Sequence, residues 1–198
     1  MTVPMLPLHL VENLERRLVA SVTAATSSFT GSQQVQDWGG EWWEFTFEMA
    51  LTRGRDGRRL SAFFAALGGM RGQFLFLDPS AGRSDLLADP MVSGGGQTGN
   101  ALVTSGWAPS LPALEIGDFI SLGSDADTRL YQITADAVAN GSGVATLQIT
   151  PRLRSSPVNG APLEFIAPAV LLRLTGPVPT RITRADSHRF SVTAREAL

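Results

Sequence analysis

The sequence predicts a mainly β protein with one short packed helix: a β-sandwich or barrel into which a small β-barrel module is inserted. Three observations lead to this fold class. Apolar and polar side chains alternate along residues 41–51, as in a long strand with one buried face. An apolar stripe with helical spacing runs through residues 60–67. Short β-type segments separated by turns follow one another through residues 118–166.

The chain before the long strand predicts an extended arm, a strand and a turn. Residues 1–11 are expected to form the arm. Residues 14–26 fit the spacing of either a helix or a strand, and their β-branched and small side chains favour a strand. A turn is expected at residues 30–32. The glycine pair at 39–40 predicts a tight turn or a bulge that leads into the long strand.

The two faces of the long strand differ in polarity. The odd-numbered residues are apolar and are expected to face the core: Trp43, Phe45, Phe47, Met49 and Leu51. The even-numbered residues are mostly polar and are expected to face water: Trp42, Glu44, Thr46, Glu48 and Ala50. The strand therefore belongs to a sheet with one buried and one wet face.

The helix is predicted at about residues 57–67. Asp56 or Ser61 could begin it, and the glycine pair at 68–69 is a natural stop. Its apolar stripe contains a phenylalanine pair, which we expect to pack against the apolar face of the long strand: Leu60, Phe63, Phe64 and Leu67. A short apolar strand at 73–77 follows and ends at Asp78-Pro79.

The composition changes after Asp78-Pro79. Residues 80–112 are rich in Gly, Ser, Pro and Ala, and are followed by predicted strands at 118–122, 130–134, 144–150 and 163–166, with Gly141–Gly143 as a hairpin connection. Three further strands, at 170–174, 178–184 and 188–194 with a turn at 186–187, resemble the first half in pattern. We therefore predict a body made of residues 1–85 and 168–198, with an inserted module at residues 90–167.

Composition excludes several classes of function. The chain has 198 residues, a net charge of −2 and no cysteine, so disulfides, thiolate metal sites and cysteine nucleophiles are excluded, and a nucleic-acid-binding surface is not indicated. All 16 basic residues are arginine, which excludes a catalytic lysine. The N-terminus lacks the pattern of a signal peptide and no apolar run is long enough for a membrane span, so we expect a protein made in a cytoplasm.

Two sequence motifs resemble catalytic or cofactor sites but have simpler interpretations. Residues 94–99 match GxGxxG, yet they lie in a Ser/Gly loop rather than between a strand and a helix. The residues of a catalytic triad are present at 186–188, but three adjacent residues cannot take its separate positions. We interpret the first as a loop and the second as a turn.

Metal and carboxylate sites are also not expected. His9 and His188 are the only histidines, which argues against zinc. Residues 125–127 lack the downstream glycine and glutamate of a calcium loop. Glu44 and Glu48, about 13 Å apart by strand rise, are explained by alternation. We therefore predict no catalytic, cofactor or metal residues, and a structural or assembly protein rather than an enzyme.

Aromatic residues give the clearest candidates for an interface. Trp43 belongs to the apolar face, whereas Trp38, Trp42 and Trp107 are candidates for exposed anchors. Such residues mark protein–protein contacts as often as ligand sites.

Taken in order, these features resemble the distal tail proteins and other minor tail proteins of long-tailed bacteriophages and gene transfer agents. In the body, the resemblance rests on the segments at 29–35 (FTGSQQV), 39–42 (GGEW), 60–68, 72–75 (GQFL) and 78–79 (DP). In the module it rests on the segments at 94–99, 106–107, 114–118, 131–133, 145–149, 151–154 and 160–162. It spans almost the whole chain.

The resemblance implies a tube-type β domain that assembles into a ring, typically a hexamer, at the far end of the tail tube. The implied partners are further copies of the chain, the tail tube protein, the baseplate hub protein, tail fibres and the tape measure protein, with DNA passing through the lumen. In such a ring, Glu44, Thr46 and Glu48 would face the lumen, where acidic groups would repel DNA. The implied location is the virion, after assembly in a bacterial cytoplasm.

Three other functions remain open at this point. The chain could be a tail tube subunit, terminator or head–tail connector. It could be a carbohydrate-binding β module that uses Trp38, Trp42 and Trp107. It could be an enzyme such as a peptidoglycan hydrolase, although that would need a carboxylate or metal site that the sequence does not indicate.

Overall fold

The computed structural model describes residues 2–7 and 10–198. Over these residues the chain is mainly β with one α-helix, α1 (Gly54–Ala66), which confirms the predicted fold class. The strands are β1 (Val11–Thr26), β2 (Gln33–Met49), β3 (Thr52–Arg53), β4 (Phe74–Leu77), β5 (Met91–Val92), β6 (Ala101–Ser105), β7 (Phe119–Leu122), β8 (Arg129–Ala135), β9 (Val144–Thr150), β10 (Leu163–Glu164), β11 (Ala169–Leu174), β12 (Thr180–Ile182) and β13 (Ser187–Glu196).

The strands form two antiparallel sheets. The body sheet has the order β1-β2-β13-β11-β4, and β3 and β12 pair with β13. The module sheet has the order β10-β7-β8-β9-β6-β5. Backbone hydrogen bonds from Val92 to Ala161 and from Leu163 to Pro90 join its two edges, so the module sheet nearly closes into a barrel. The strand order matches an insertion, and the domain boundaries stay a prediction.

The segment at residues 14–26 is a strand, as its composition predicted. β1 and β2 pair along their whole length, except for a shift at Glu12 and a second shift at which Ser21 lies opposite residues 38–40. This shift is the expected bulge, and Gly39 takes the positive φ of 73° that it requires. Of the predicted N-terminal arm, Pro4 and Leu6 pair with Leu75 of β4, whereas His9 lies outside the described residues.

The apolar face of β2 forms the core of the body. The buried residues are Trp43, Phe45, Phe47 and Met49. Leu51 was also expected there, but it is exposed because β2 ends at Met49 and Ala50 donates its N–H to Leu10. Phe76 of β4 packs on both Phe45 and Phe47, with ring centroids 5.7 and 5.1 Å away.

The helix packs differently from the prediction. It begins three residues earlier than predicted and ends just before Gly68. The expected partner of its phenylalanine pair was β2. Instead, Phe63 contacts Phe74 of β4 and Phe64 contacts Phe190 of β13, at centroid distances of 6.1 and 5.8 Å. The phenylalanine pair of the helix therefore packs on β4 and β13, which are other strands of the body sheet. No helix in the described part of the chain is long and apolar enough to cross a membrane.

Several strand boundaries also differ from the prediction. Strands β5 and β6 lie within the Gly/Ser-rich segment, in which no strand was predicted. The strand expected at 178–184 is only Thr180–Ile182, because Pro177 and Pro179 carry no N–H to donate to the sheet.

Buried polar contacts join the two sheets. Arg16 of β1 forms an ion pair with Asp78 and stacks over the ring of Phe119 in β7, 3.8 Å from its centroid. Trp43 donates its indole N–H to the carbonyl of Leu130 in β8, at 3.0 Å. The module therefore packs directly against the body core, which Phe119 and Leu130 share.

Candidate functional site

The outward side of the body sheet carries the residues predicted to face a lumen. Glu44, Thr46 and Glu48 point away from the core of β2. Their cross-strand neighbours on β1, β13 and β11 point the same way, because directly paired residues share a face. We call this surface the polar face: Asn13, Glu15, Arg17, Trp42, Glu44, Thr46, Glu48, Arg173, Ser191, Thr193 and Arg195.

Glu44 lies at the centre of a hydrogen-bonded group on the polar face. Its Oε2 accepts hydrogen bonds from Nη2 and Nε of Arg17, at 2.6 and 2.9 Å. Its Oε1 accepts one from the indole N–H of Trp42, at 3.0 Å. The Trp42 indole, followed by Arg17, lowers the pKa of Glu44 below its ordinary value of 4.5. Glu44 is therefore ionised at neutral pH, with its charge matched by a neighbouring cation.

The polar face is balanced in charge rather than acidic. Its carboxylates are Glu15, Glu44 and Glu48, and its cations are Arg17, Arg173 and Arg195. The expectation of an acidic surface considered only two residues of one strand. Because three arginines on neighbouring strands offset the three carboxylates, the surface as a whole has no net charge at neutral pH.

The three candidate interface tryptophans have different environments. Trp38 lies at the bulge, is 68% exposed, and donates its indole N–H to Thr23 at 3.2 Å. Trp42 is half-buried on the polar face. Trp107 is only 4% exposed, so the expectation of an exposed anchor is wrong. Its indole N–H donates to Thr104 at 2.8 Å and its ring packs on Phe165, inside the module core.

Beyond the bulge, β1 and β2 leave the core as a two-stranded ribbon. We call residues 20–38 the hairpin arm. None of its residues is buried, and four large apolar side chains are well exposed: Val22, Phe29, Val35 and Trp38. Phe29, at the tip, is 98% exposed. Asp37 is the only charged residue between Arg17 and Glu41.

An apolar pocket of about 480 Å³ lies at the other end of the body sheet. It is bounded by α1, by the turn after it and by the loop between β11 and β12. Its lining residues are all uncharged: Ser61, Phe64, Ala65, Gly69, Met70, Leu174, Gly176, Pro177, Val178 and Thr180. Sequence reasoning missed this pocket because its walls come from segments about a hundred residues apart.

The remaining motifs have the simpler roles expected of them. Residues 94–99 form the loop between β5 and β6, held by the side chain of Gln97, whose amide contacts the backbone of Ser93, Gly94 and Val103. No helix follows this loop, so it lacks the context of a dinucleotide site.

The triad-like motif is the turn that leads into β13, with Ser187 and His188 already in the strand, and the calcium-like motif is a single 3-10 turn. The ring Nε2 of His188 lies 3.0 Å from Oδ1 of Asp186, and Asp186 has the positive φ of a turn residue. Asp125 accepts the backbone N–H of Val3 at 2.6 Å. Within residues 2–7 and 10–198, no three His, Asp or Glu side chains are grouped so that they could hold a metal ion.

Comparison with known proteins does not identify a family. No protein-family model matches the chain, and no curated protein matches it. Three features of the fold itself indicate what the chain can do: the polar face, the hairpin arm and the apolar pocket.

Proposed function

We propose that the chain is a structural subunit of a phage tail tip. In this role six copies form a ring that joins the tail tube to the baseplate hub and fibres and surrounds the DNA channel. The observation that carries the proposal is β1, a 16-residue strand at the edge of the body sheet that continues beyond the core as one side of the hairpin arm. The resemblance in sequence gives the proposed position in the particle.

An open edge of this length favours assembly. One side of β1 has backbone N–H and C=O groups that no strand in the described part of the chain pairs. Edge strands of monomeric proteins are usually short, or carry charges or prolines that prevent pairing with another chain. Residues 18–26 have neither a charge nor a proline. The edge is thus suited to pairing with another subunit.

The polar face suits the wall of a DNA channel. A wall with excess arginine would bind phosphates, and each such contact would hold the DNA more tightly. Here the three arginines of the polar face are equal in number to its carboxylates, and Arg17 is already bound to Glu44 at 2.6 Å. We propose that Glu44, Thr46 and Glu48 face the lumen, and that balanced charge, rather than repulsion, lets DNA slide.

Electron microscopy of the purified chain would test the proposal. We expect negative-stain class averages to show a six-fold ring with a hole wide enough for a DNA duplex. Mass photometry should give a particle of six 21.1 kDa chains. A protein that stays monomeric at every concentration tested would contradict the proposal.

A variant with added charge on the open edge of β1 tests whether this edge is the assembly surface. Thr23 and Ala25 are exposed in the hairpin arm, and lysine at both positions should prevent pairing of β1 and abolish the rings. The control places the same two lysines at Leu87, which is exposed in the segment before the module, and at Val158, which is exposed in a loop of the module. Rings that survive lysines at 23 and 25 would show that the edge is not the assembly surface.

A further inference from the structure

We infer that the tip of the hairpin arm docks, through Phe29, into the apolar pocket of a second copy of this chain. The inference rests on the proposed function, because it assigns the surfaces by which the subunits join. It adds a contact other than the pairing of β1, between opposite ends of two molecules.

Phe29 is presented by a well-ordered turn. Ser27 accepts hydrogen bonds through its hydroxyl from the N–H groups of Phe29 and Thr30, both at 3.3 Å, and through its carbonyl from Gly31 at 2.9 Å. The turn is thus fixed without any contact from the ring of Phe29, which is 98% exposed. A fixed, exposed aromatic ring loses little freedom when it is buried in a partner, which favours binding.

The pocket matches this ring in size and chemistry. Its volume of about 480 Å³ is in the range of sites that enclose small ligands, so one aromatic ring and part of its turn can enter. Phe64 and Leu174 form its floor, since both are buried, while Met70 is exposed at its side. An aromatic anchor that fills such a pocket is the usual centre of a protein interface.

The two surfaces are also matched in charge. Residues 18–36 form an uncharged stretch, and all ten residues that line the pocket are uncharged, although the whole chain has 16 basic and 18 acidic residues. A strongly charged partner would leave its own charges unpaired on either surface, which is costly. A second copy of the chain leaves none unpaired.

The contact must form between two molecules. Strand β2 runs from Gln33 beside the tip to Met49 near α1, a distance of about 50 Å at the rise of a strand. The tip and the pocket are therefore at opposite ends of the body, and the arm cannot reach its own pocket. A contact between different surfaces of identical chains is heterologous, so it can repeat from subunit to subunit and close into a ring.

Crosslinking tests the inference cleanly because the chain has no cysteine of its own. Ser28→Cys places a thiol beside the tip, and Ala66→Cys places one beside the pocket, while Phe29 and the pocket residues stay intact. With a short bis-maleimide, the double variant should give a ladder of multimers on a denaturing gel. Each single variant should give at most a dimer. A double variant that gives only internally crosslinked monomer would overturn the inference.

Removal of the aromatic ring supplies the decisive comparison. Adding Phe29→Ser to the double variant should reduce the ladder about tenfold or more, whereas adding Leu87→Ser, at a similarly exposed site before the module, should leave it unchanged. Rings without a ladder, or a ladder that Phe29→Ser does not reduce, would overturn the docking and leave the proposed function standing. A monomeric wild-type chain would overturn both. A product that contains any other protein in place of the ladder would assign the arm to that partner and overturn the inference.

Discussion

Replacing Glu196 with alanine is expected to destabilise the chain by about 3–5 kcal/mol, the usual cost of removing one partner of a buried ion pair. The side chain of Glu196 is fully buried in β13, and its Oε2 accepts a hydrogen bond from Nη2 of Arg154 at 2.9 Å. The same oxygen is 3.3 Å from the backbone N–H of Trp43. Alanine would therefore leave a largely buried guanidinium without its carboxylate, and a buried N–H without its acceptor.

Urea denaturation measures this cost, and a second variant shows its origin. Nε of Arg154 and Oε1 of Glu196 are buried without partners, so the pair is itself imperfectly satisfied. Replacing both residues with methionine removes both charges and fills similar space, so most of the lost stability should return. If the double variant is as unstable as Glu196→Ala, the loss comes from packing and not from the unpaired charge.

An exposed ion pair in the segment before the module provides the control. Asp85 is 3.0 Å from Arg83 and its side chain is 72% exposed, so Asp85→Ala should lower the free energy of unfolding far less than Glu196→Ala does. An equally small loss for Glu196→Ala would refute the argument, because it would mean that water reaches Arg154 at the junction of the two sheets.

Three further variants test other parts of the structure. Phe64→Ala should lower the free energy of unfolding by about 3–5 kcal/mol, because Phe64 is buried against Phe190, and an unchanged melting temperature would show that α1 does not pack there. Gly57→Ala should cost about 1–3 kcal/mol in the same assay, since its Cβ would lie 2.3 Å from the ring of His188. Glu44→Gln should make the free energy of unfolding fall less steeply as the pH is lowered. The pKa of Glu44 is lower in the folded chain than in the unfolded chain. Its contribution to the free energy of unfolding is therefore complete above the unfolded pKa and is lost as the pH falls through the folded pKa. Equal acid dependence in variant and wild type would contradict this assignment.

Regular periodicity made part of the fold predictable. The alternation along β2 predicted which side chains face the core, and Trp43, Phe45, Phe47 and Met49 are buried as expected. The stripe on α1 predicted a helix, but its packing partners depend on the order of strands in the sheet. Spacing in one segment carries no information about that order, and so β13 was not expected beside Phe64.

Other errors came from features that depend on distant residues. Strands β5 and β6 lie in a Gly/Ser-rich segment, where pairing with β9 and with residues 160–163 overrides weak local preference. Trp107 was expected at the surface, but Gly106, at a φ of 93°, redirects the chain so that the indole enters the module core. The balance of charge on the polar face likewise depends on cross-strand neighbours that only the register of β1, β2 and β13 reveals.

The position of β13 has a consequence for the order of events during synthesis. The strand occupies the middle of the body sheet, between β2 and β11, although it follows all the other described strands along the chain. The strands of the module sheet, in contrast, all lie within residues 91–164. At ordinary rates of translation the module strands leave the ribosome several seconds before β13 does. The strands of the body sheet therefore leave the ribosome in two groups. Only a chain synthesised as far as Glu196 has the complete polar face.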